Sequence, residues 1–327
     1  MDFMAIGDTA VDEFIRLEEG HPDCTINKND CTICMKWGDK IPYEFSVLVA
    51  GTGNAANAAV AAARLGLSAG LISNVGDDRF GEETLASLAR EKVDGAHVAV
   101  NAGVPTNHHY VLWYGAERTI LVRHEEYPYR IPAELAAPKW IYLSSAGEHS
   151  SGMHDELAAW IAQHPETKLA FQPGTFQILL GKEKLAPLYT AAEVVACNKE
   201  EAERILEIGE TDVKTLLEKM RSLGPKIVLI TDGPNGAYVY DGAEMVRVPM
   251  YPDPKPPYER TGAGDAMTST FVAALALGHS VADAMLWGPI NSMSVVQAVG
   301  SQKGLLTREQ IQEYLAKAPA EYRVEPL

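Results

Sequence analysis

The chain has 327 residues, of which 46% are hydrophobic and 22% are charged, a composition typical of globular proteins. Its formal net charge of -16 repels the phosphate backbone of nucleic acids, so a nucleic-acid-binding function is disfavoured. The sequence has no apolar run near the roughly 18 residues that a membrane span needs, and its acidic start is unlike a signal peptide. We therefore expect a cytoplasmic protein without membrane or nucleic-acid partners.

Short apolar runs alternate with longer helical patterns along most of the chain. The runs that predict strands are DFMAIGD, GLISNVGD, HVAV, WIYLSS, KLAFQPG, EVVACN and KIVLITDG. The segments that predict helices between them are NAANAAVAAARLG, FGEETLASLAREK, MHDELAAWIAQH, KEEAERILEIG and TDVKTLLEKMRSLG, with Gly66, Gly209 and Gly224 as expected stops. This alternation predicts an α/β three-layer sandwich, in which helices cover both faces of a mostly parallel sheet. Three more helical segments follow a Pro-rich loop toward the C-terminus.

Two regions depart from this alternation. Residues 13–49 contain short β-like pieces, and residues 108–123 read as a hairpin that turns at YGAE. Together they predict a small β-sheet that covers a pocket as a lid. The sequence shows no repeat or linker, so we expect one domain over residues 1–327 with the lid inserted in it.

The first lid region carries a cluster of cysteines. Cys24, Cys31 and Cys34 lie close together after His21, a set that could bind zinc or could simply be reduced thiols. Cys197 lies in an apolar run and is expected in the core.

The most informative stretch is ERTGAGDAMTSTF, residues 259–271. Gly262, Ala263 and Gly264 precede a helical pattern that is expected to end at Gly278, and a helix N-terminus with unobstructed N–H groups can bind an anion. Asp265 falls in the first helical turn. That carboxylate could take part in chemistry or could only offset the helix dipole.

Three other stretches contain candidate site residues, and each of them also has a purely structural interpretation. Gly53 and Asn57, in AGTGNAANAAV, suit close approach to a hydroxyl-bearing ligand, or belong to a Gly-rich turn before a helix. Asn198 and Glu201, in CNKEEA, have the spacing of a capping box. The segment ITDGPNGAYVYDG reads as a hairpin loop with two glycines.

Taken in order, these stretches resemble the PfkB carbohydrate kinases, the ribokinase-like family that also includes nucleoside kinases. TGNAANAAVAAARLG is similar to the first family signature, CNKEEA to the Asn-x-x-Glu motif, and RTGAGDAMTSTFVAAL to the second signature. The resemblance runs over nearly the whole chain. It implies a ribokinase-like fold, ATP and Mg²⁺ as cofactors, and a lid that could also join two copies into a homodimer.

The resemblance also implies roles in phosphate transfer. Asp265 would be the catalytic base, and Gly262, Ala263 and Gly264 would form an anion hole for the transferred phosphate. Glu201 would organise the water shell of Mg²⁺. Because Asp265 lies beside a helix N-terminus, its pKa is expected to be low.

Further residues match the contacts that the family makes with its two substrates. Asp12, Gly53 and Asn57 match acceptor contacts, and Asn198, Thr231, Gly233, Gly236 and Asn291 match ATP contacts. Glu259-Arg260-Thr261 stands where relatives often have Asp-Thr-Thr, which leaves a monovalent-cation site open.

We therefore expect an ATP-dependent kinase that transfers the γ-phosphate to a primary hydroxyl of a small sugar or nucleoside. A phosphosugar acceptor is the alternative, since Arg118, Arg123 and His109 could bind a second phosphate. A non-catalytic sugar- or nucleotide-binding relative is a third hypothesis, disfavoured because a binder has no need for the intact Gly-Ala-Gly-Asp. The lid aromatics could stack on a ligand or form the lid core, and they are Tyr43, Phe45, Tyr110, Trp113 and Tyr114.

Overall fold

The computed structural model describes residues 1–18, 21–23 and 32–327, and for 21–23 it describes the backbone. The predicted zinc cluster falls largely outside this part, since Cys24 and Cys31 lie outside the described residues. Within the described ranges, no group of three or more His, Cys, Asp or Glu side chains is arranged to hold a metal ion. Cys34 is exposed, whereas Cys197 is buried as expected.

The strands confirm the order that the apolar runs predict. In chain order they are β1 (Phe3–Ile6), β2 (Ala10–Leu17), β3 (His21–Asp23), β4 (Thr32–Cys34), β5 (Tyr43–Thr52), β6 (Ala69–Gly76), β7 (Asp94–Asn101), β8 (His108–Tyr114), β9 (Glu117–Leu121), β10 (Trp140–Leu143), β11 (Lys168–Phe171), β12 (Ala192–Asn198), β13 (Ile227–Thr231), β14 (Ala237–Tyr240), β15 (Met245–Val248) and β16 (Glu325–Pro326).

The helices likewise follow the predicted amphipathic segments. In chain order they are α1 (Asn54–Arg64), α2 (Arg79–Arg90), α3 (Ser151–Gln163), α4 (Thr175–Leu180), α5 (Ala186–Ala191), α6 (Lys199–Leu206), α7 (Val213–Ser222), α8 (Ala263–Ala276), α9 (Val281–Val295) and α10 (Arg308–Ala316). No helix in the described part of the chain is long and apolar enough to cross a membrane.

A ten-stranded sheet in the order β16-β15-β14-β13-β12-β11-β10-β1-β6-β7 forms the centre of the fold. The strands from β7 to β13 pair in parallel, and β14, β15 and β16 add an antiparallel edge. Alternate residues of β1 enter different apolar cores, with Phe3 and Ala5 on one face and Met4 and Ile6 on the other. Helices α1, α8, α9 and α10 pack on the first face, and α3, α5, α6 and α7 on the second. These layers confirm the predicted α/β sandwich.

Helix ends agree with the glycine stops except at one position. Gly66, Gly224 and Gly278 follow the ends of their helices with positive φ angles, as predicted. The prediction for Gly209 is wrong, because α6 ends at Leu206 and Glu207 adopts the left-handed conformation instead, with φ 58°. The N–H groups of Glu207 and Ile208 return to carbonyls of the last turn, so the helix is already closed before Gly209.

A second sheet, in the order β5-β2-β8-β9, is built from the two predicted lid regions. The predicted hairpin is present: β8 and β9 pair antiparallel and turn at Gly115 and Ala116. Trp113 is fully buried within this sheet, where the ring of Phe45 packs edge-on against it. We call the hairpin β8–β9 the lid hairpin.

Candidate active site

Two cavities lie on either side of the start of α8. The first has a volume of about 460 Å³ and is lined by Asp12, Gly53, Asn57 and Asp265, among others; we call it the acceptor cavity. The second has a volume of about 390 Å³, and we call it the nucleotide cavity. Its lining includes the predicted residues Thr231, Gly233, Gly236, Ala263 and Gly264. Three of the predicted ATP residues thus line one cavity and the three predicted acceptor residues line the other, with Ala263, Gly264 and Asp265 at the junction, whereas Asn198 and Asn291 line neither cavity.

Asp265 is held by amides from distant parts of the chain. Its Oδ1 accepts a hydrogen bond from Asn54 Nδ2 (3.0 Å), and its Oδ2 accepts one from Asn57 Nδ2 (2.8 Å). A longer contact of 3.4 Å reaches Oδ1 from Gln172 Nε2, and the hydroxyl of Tyr142 in turn donates to Gln172 Oε1. The carboxylate is therefore oriented from α1 and from the end of β11 as well as by its own helix.

The expectation of a low pKa for Asp265 is wrong. Burial raises the pKa of this carboxyl above its ordinary value, and the hydrogen bonds from Asn57 and Gln172 offset only part of that effect. The nearby charge of Asp12 raises the pKa further. Desolvation is thus the largest influence on this carboxyl, and the raised pKa makes it a stronger base than an exposed aspartate.

The segment before α8 has an unusual backbone at Gly262. Its φ angle is 82°, and a Cβ atom there would lie 2.5 Å from the Cβ of Ser301, so only glycine fits. Gly264, by contrast, faces open space. The first N–H groups of an α-helix have no intrahelical acceptor, so those of Gly264 and Asp265 are available to an anion beside the nucleotide cavity.

The acceptor cavity contains two imidazole–carboxylate pairs. His109 Nδ1 lies 3.1 Å from Asp12 Oδ1, and His124 Nδ1 lies 3.0 Å from Asp8 Oδ2. The hydroxyl of Tyr129 donates to Asp8 Oδ1 (2.6 Å). Asp8 and His124 are not among the predicted site residues. The signal for Asp8 is its place just after β1, at the carboxyl end of a parallel strand, where α/β proteins bind ligands. No local pattern marks His124, which follows an antiparallel strand of the second sheet.

Gly53 and Asn57 line this cavity as predicted, but their contacts are within the protein. Gly53 has φ 98°, and a Cβ atom there would lie 2.7 Å from the carbonyl oxygen of Asp8. The Oδ1 atom of Asn57 accepts hydrogen bonds from Ser301 and Gln302, while its Nδ2 donates to Asp265. Asn57 therefore orients the candidate base, and its contact with an acceptor hydroxyl stays a prediction.

Arg118 reaches from the lid hairpin to the segment before α8. Its Nε donates to Thr261 Oγ1 (3.1 Å) and lies 4.0 Å from the fully buried carboxylate of Glu259. Glu259 Oε1 accepts both the N–H and the hydroxyl of Thr261. Thr261 lines the acceptor cavity, whereas Arg118 does not. Arg118 therefore contacts the wall of this cavity through Thr261.

Asn198 and Glu201 form the predicted capping box of α6. Asn198 Oδ1 accepts the N–H of Glu201 (2.8 Å), and Glu201 Oε2 accepts the N–H of Asn198 (2.9 Å). Burial raises the pKa of Glu201, and the charge of Asp265 acts in the same direction. The nucleotide and metal roles of these two residues stay predictions.

The predicted ATP contact by the Asn291 side chain is wrong. This side chain is fully buried, where its Nδ2 donates to Thr270 Oγ1 (2.7 Å) and its Oδ1 accepts the N–H of Leu306 (2.9 Å). Successive helix positions point about 100° apart, and Ser292, Met293 and Val296 line the nucleotide cavity instead.

The lid aromatics do not line the acceptor cavity in the part of the chain that the structure describes. Trp113 packs instead against Phe45 and Tyr258, with the guanidinium of Arg16 over its ring at 4.3 Å. Phe176 of α4 supplies an aromatic wall to the cavity. The lid-core interpretation therefore holds for Trp113.

Comparison with known proteins identifies the family and the fold to which this architecture is similar. The profile described as pfkB family carbohydrate kinase matches residues 23–308. The ribokinase of Haemophilus influenzae is 26% identical over 283 residues, covering 81% of this chain and 87% of that protein. The nucleoside kinase of Methanocaldococcus jannaschii superposes with a TM-score of 0.79 at 19% identity, over 97% of this chain and 99% of the other.

A second solved structure, ribokinase of Arabidopsis thaliana complexed with ribose and ATP, has a TM-score of 0.78 at 18% identity and covers 96% of this chain and 98% of its own. The structural likenesses confirm the ribokinase-like fold. Because the family profile spans most of the sequence, this chain belongs to the pfkB family of carbohydrate kinases.

Proposed function

We propose that the protein is an ATP-dependent kinase that transfers the γ-phosphate to a primary hydroxyl of a small sugar or nucleoside. One observation carries the proposal: the carboxylate of Asp265 lines the acceptor cavity, while Ala263 and Gly264, immediately before it, line the nucleotide cavity. A hydroxyl and a terminal phosphate bound in the two cavities would meet at this segment.

The residues suit a phosphoryl transfer in which positioning and charge stabilisation dominate. Asp265 accepts the proton of the acceptor hydroxyl, and its raised pKa makes it a better base for this purpose. Amides of Asn54 and Asn57 fix the direction of the carboxylate. The N–H groups of Gly264 and Asp265 hold the negative oxygens of the transferred group.

Glu201 fits the metal role that we propose for it. Its Oε2 accepts a hydrogen bond from the N–H of Asn198, and its carboxylate would hold Mg²⁺ through water, since this cation prefers oxygen ligands. Bound Mg²⁺ would neutralise charge on the phosphate chain. ATP itself would lie along Thr231, Gly233 and Gly236, in the cavity that these residues share with Gly264.

The acceptor cavity favours an uncharged polyol. Asp8, Asp12 and Asp265 all line it, and no Lys or Arg does among the described residues. Carboxylates accept hydrogen bonds from hydroxyl groups and repel a second phosphate. This observation disfavours the phosphosugar alternative, in which Arg118 would have to turn away from Thr261.

The homodimer through the lid is also a proposal. Tyr43, Leu48, Tyr110, Leu121 and Val122 are large apolar side chains exposed on the lid strands or directly after them. Exposed apolar surface of this kind often marks a protein interface. Sedimentation velocity of the wild type and of Leu121→Glu tests it: we expect a dimer that the substitution dissociates, and a monomeric wild type contradicts the proposal.

The kinase proposal is tested by ADP release against a panel of sugars, sugar phosphates and nucleosides, with Asp265→Asn as the matched variant. We expect the wild type to phosphorylate at least one neutral polyol and the variant to be nearly inactive on it. Equal turnover by both proteins would remove Asp265 from the mechanism. A ligand that raises the Tm without ATP and is never phosphorylated would support a binding protein instead.

A further inference from the structure

Arg260 is a cationic side chain on the wall of the nucleotide cavity. It stands two residues before Gly262, and it lines the same cavity as Ala263, Gly264 and Asp253. Its side chain is 44% exposed. A guanidinium on this wall shares the cavity with the first residues of α8, whose N–H groups lack intrahelical acceptors, and its exposure makes it accessible to a ligand. Its planar set of N–H donors matches phosphate oxygens in pairs.

In the structure the partner of Arg260 is a residue of the lid hairpin. Arg260 Nε lies 3.3 Å from Glu117 Oε1, and the side chain of Glu117 is 69% exposed. An ion pair that is open to water contributes little to stability and is easily exchanged. A phosphate chain carries more negative charge than one carboxylate and would compete well for this guanidinium.

Asp253 is an acidic residue on the wall of the same cavity as Arg260. Burial raises the pKa of Asp253, and the positive charge of Arg260 opposes that shift. An ionised Asp253 would repel a phosphate chain. Arg260 is placed to offset that repulsion.

We propose that Arg260 binds the phosphate chain of the nucleotide and that it exchanges Glu117 for phosphate when the nucleotide enters; this inference rests on the proposed kinase function. The exchange releases the contact of Glu117 with the segment before α8. The contacts of Arg118 with Thr261 and Glu259 belong to the acceptor side and are expected to remain.

Calorimetric titration of the full-length protein with ATP and Mg²⁺, without an acceptor, tests the proposal. We expect Arg260→Gln to raise the Kd of ATP by about 10- to 100-fold, the loss of a hydrogen bond to a charged group. Arg260→Lys should lose less, because it keeps the charge and loses the paired geometry. Glu117→Gln should bind ATP as tightly as the wild type or more tightly, because it removes the competing carboxylate.

Arg79→Gln is the matched control, since Arg79 is an exposed arginine that pairs with Glu83 on α2, away from both cavities. It should leave the Kd of ATP unchanged. Asp253→Asn added to Arg260→Gln should recover part of the lost affinity, because it removes the repulsion. The Tm of each variant checks that the protein is folded.

Two results would overturn the proposal while leaving the kinase function intact: an unchanged Kd for ATP in folded Arg260→Gln, or a loss in Glu117→Gln as large as that in Arg260→Gln. The second result would mean that the ion pair itself shapes the site. A wild type that binds no ATP would contradict the proposed function and this inference together. Turnover measured in parallel therefore separates the two failures.

Discussion

The floor of the site and its lid are built in different ways. At the floor, the carboxylate of Asp265 accepts hydrogen bonds from the amides of Asn54 and Asn57 on α1 and a longer contact from Gln172 at the end of β11. The lid hairpin meets the neighbouring segment through the buried ring of Trp113 on Tyr258 and through polar contacts that are more open to water, with Arg118 on Thr261 and Glu117 on Arg260. The floor is thus preorganised, whereas these polar lid contacts can be exchanged at small cost.

This difference suggests a division of labour. Preorganised groups lower the barrier of the chemical step because they need no reorganisation when charge develops. Exchangeable contacts at a lid act on binding and closure. Substitutions in the floor should therefore change kcat, and substitutions in the lid should change KM.

Asp265→Asn should give the largest effect on the floor side. Loss of a general base costs roughly 100- to 10,000-fold in rate. We expect kcat to fall by about that factor while the Kd of ATP stays within a few-fold of the wild type. Steady-state kinetics and calorimetry measure the two quantities, and a variant with lost ATP affinity and normal kcat would reverse the assignment of floor and lid.

Gly262→Ala and Gly264→Ala form a pair that separates backbone shape from side-chain bulk. At Gly262 the added Cβ meets Ser301 at 2.5 Å on a backbone with φ 82°, so we expect a lower Tm and a kcat loss of about 100-fold or more. At Gly264 the added Cβ meets nothing within 4 Å, so the Tm should stay close to that of the wild type and the loss in kcat should be smaller. Equal Tm values for both variants would contradict this account of the anion hole.

Arg118→Ala probes the lid side. Its bond to Thr261 helps to close the hairpin over the acceptor cavity, so we expect the KM of the acceptor to rise by about tenfold, as for one lost charged hydrogen bond. The kcat and the Kd of ATP should change little. A large fall in kcat at saturating acceptor would place Arg118 in the chemistry and weaken the division between the two regions.

Asn291→Ala tests whether the side chain of Asn291 on α9 serves the core or contacts ATP. The side chain holds two buried hydrogen bonds, so its loss should lower the free energy of unfolding by about 1–3 kcal/mol. The KM of ATP should stay near that of the wild type, because the residue faces the core. Chemical denaturation gives the first quantity, and an ATP-specific defect without destabilisation would restore the predicted nucleotide contact.

The smallest expected effect is a shift in the pH at which activity is lost on the acid side. A base must be ionised to act, and the pKa of Asp265 lies above its ordinary value of 3.8. Activity should therefore be lost, as the pH falls, at a higher pH than an unperturbed aspartate would give. The acid limb of kcat/KM measures this pKa, and a limb at or below pH 3.8 would show that the helix N-terminus outweighs burial.

Local patterns were sufficient to predict most of the fold. The strands and the long helices follow the periodicity of apolar residues, and the Gly-Ala-Gly-Asp segment marks the start of α8. The wrong predictions have a different origin. The prediction that α6 ends at Gly209 was wrong because Glu207, a residue that rarely adopts a positive φ, ends the helix two residues earlier.

The candidate site was harder to predict because it depends on long-range contacts. Asn54 reaches Asp265 across 211 positions of the chain, and Gln172 does so across 93. Periodicity does not reveal such neighbours, and the same packing determines the desolvation that raises the pKa of Asp265. The inward direction of Asn291 also depends on how α9 packs.

The rate of the chemical step in a single turnover tests the division between floor and lid most directly. Rapid quenching with enzyme in excess over labelled ATP, at saturating acceptor, would compare wild type, Asp265→Asn and Arg118→Ala. We expect Asp265→Asn to slow this step by roughly 100-fold or more and Arg118→Ala to leave it nearly unchanged. A normal rate for Asp265→Asn, or an equal slowing of both variants, would contradict the account.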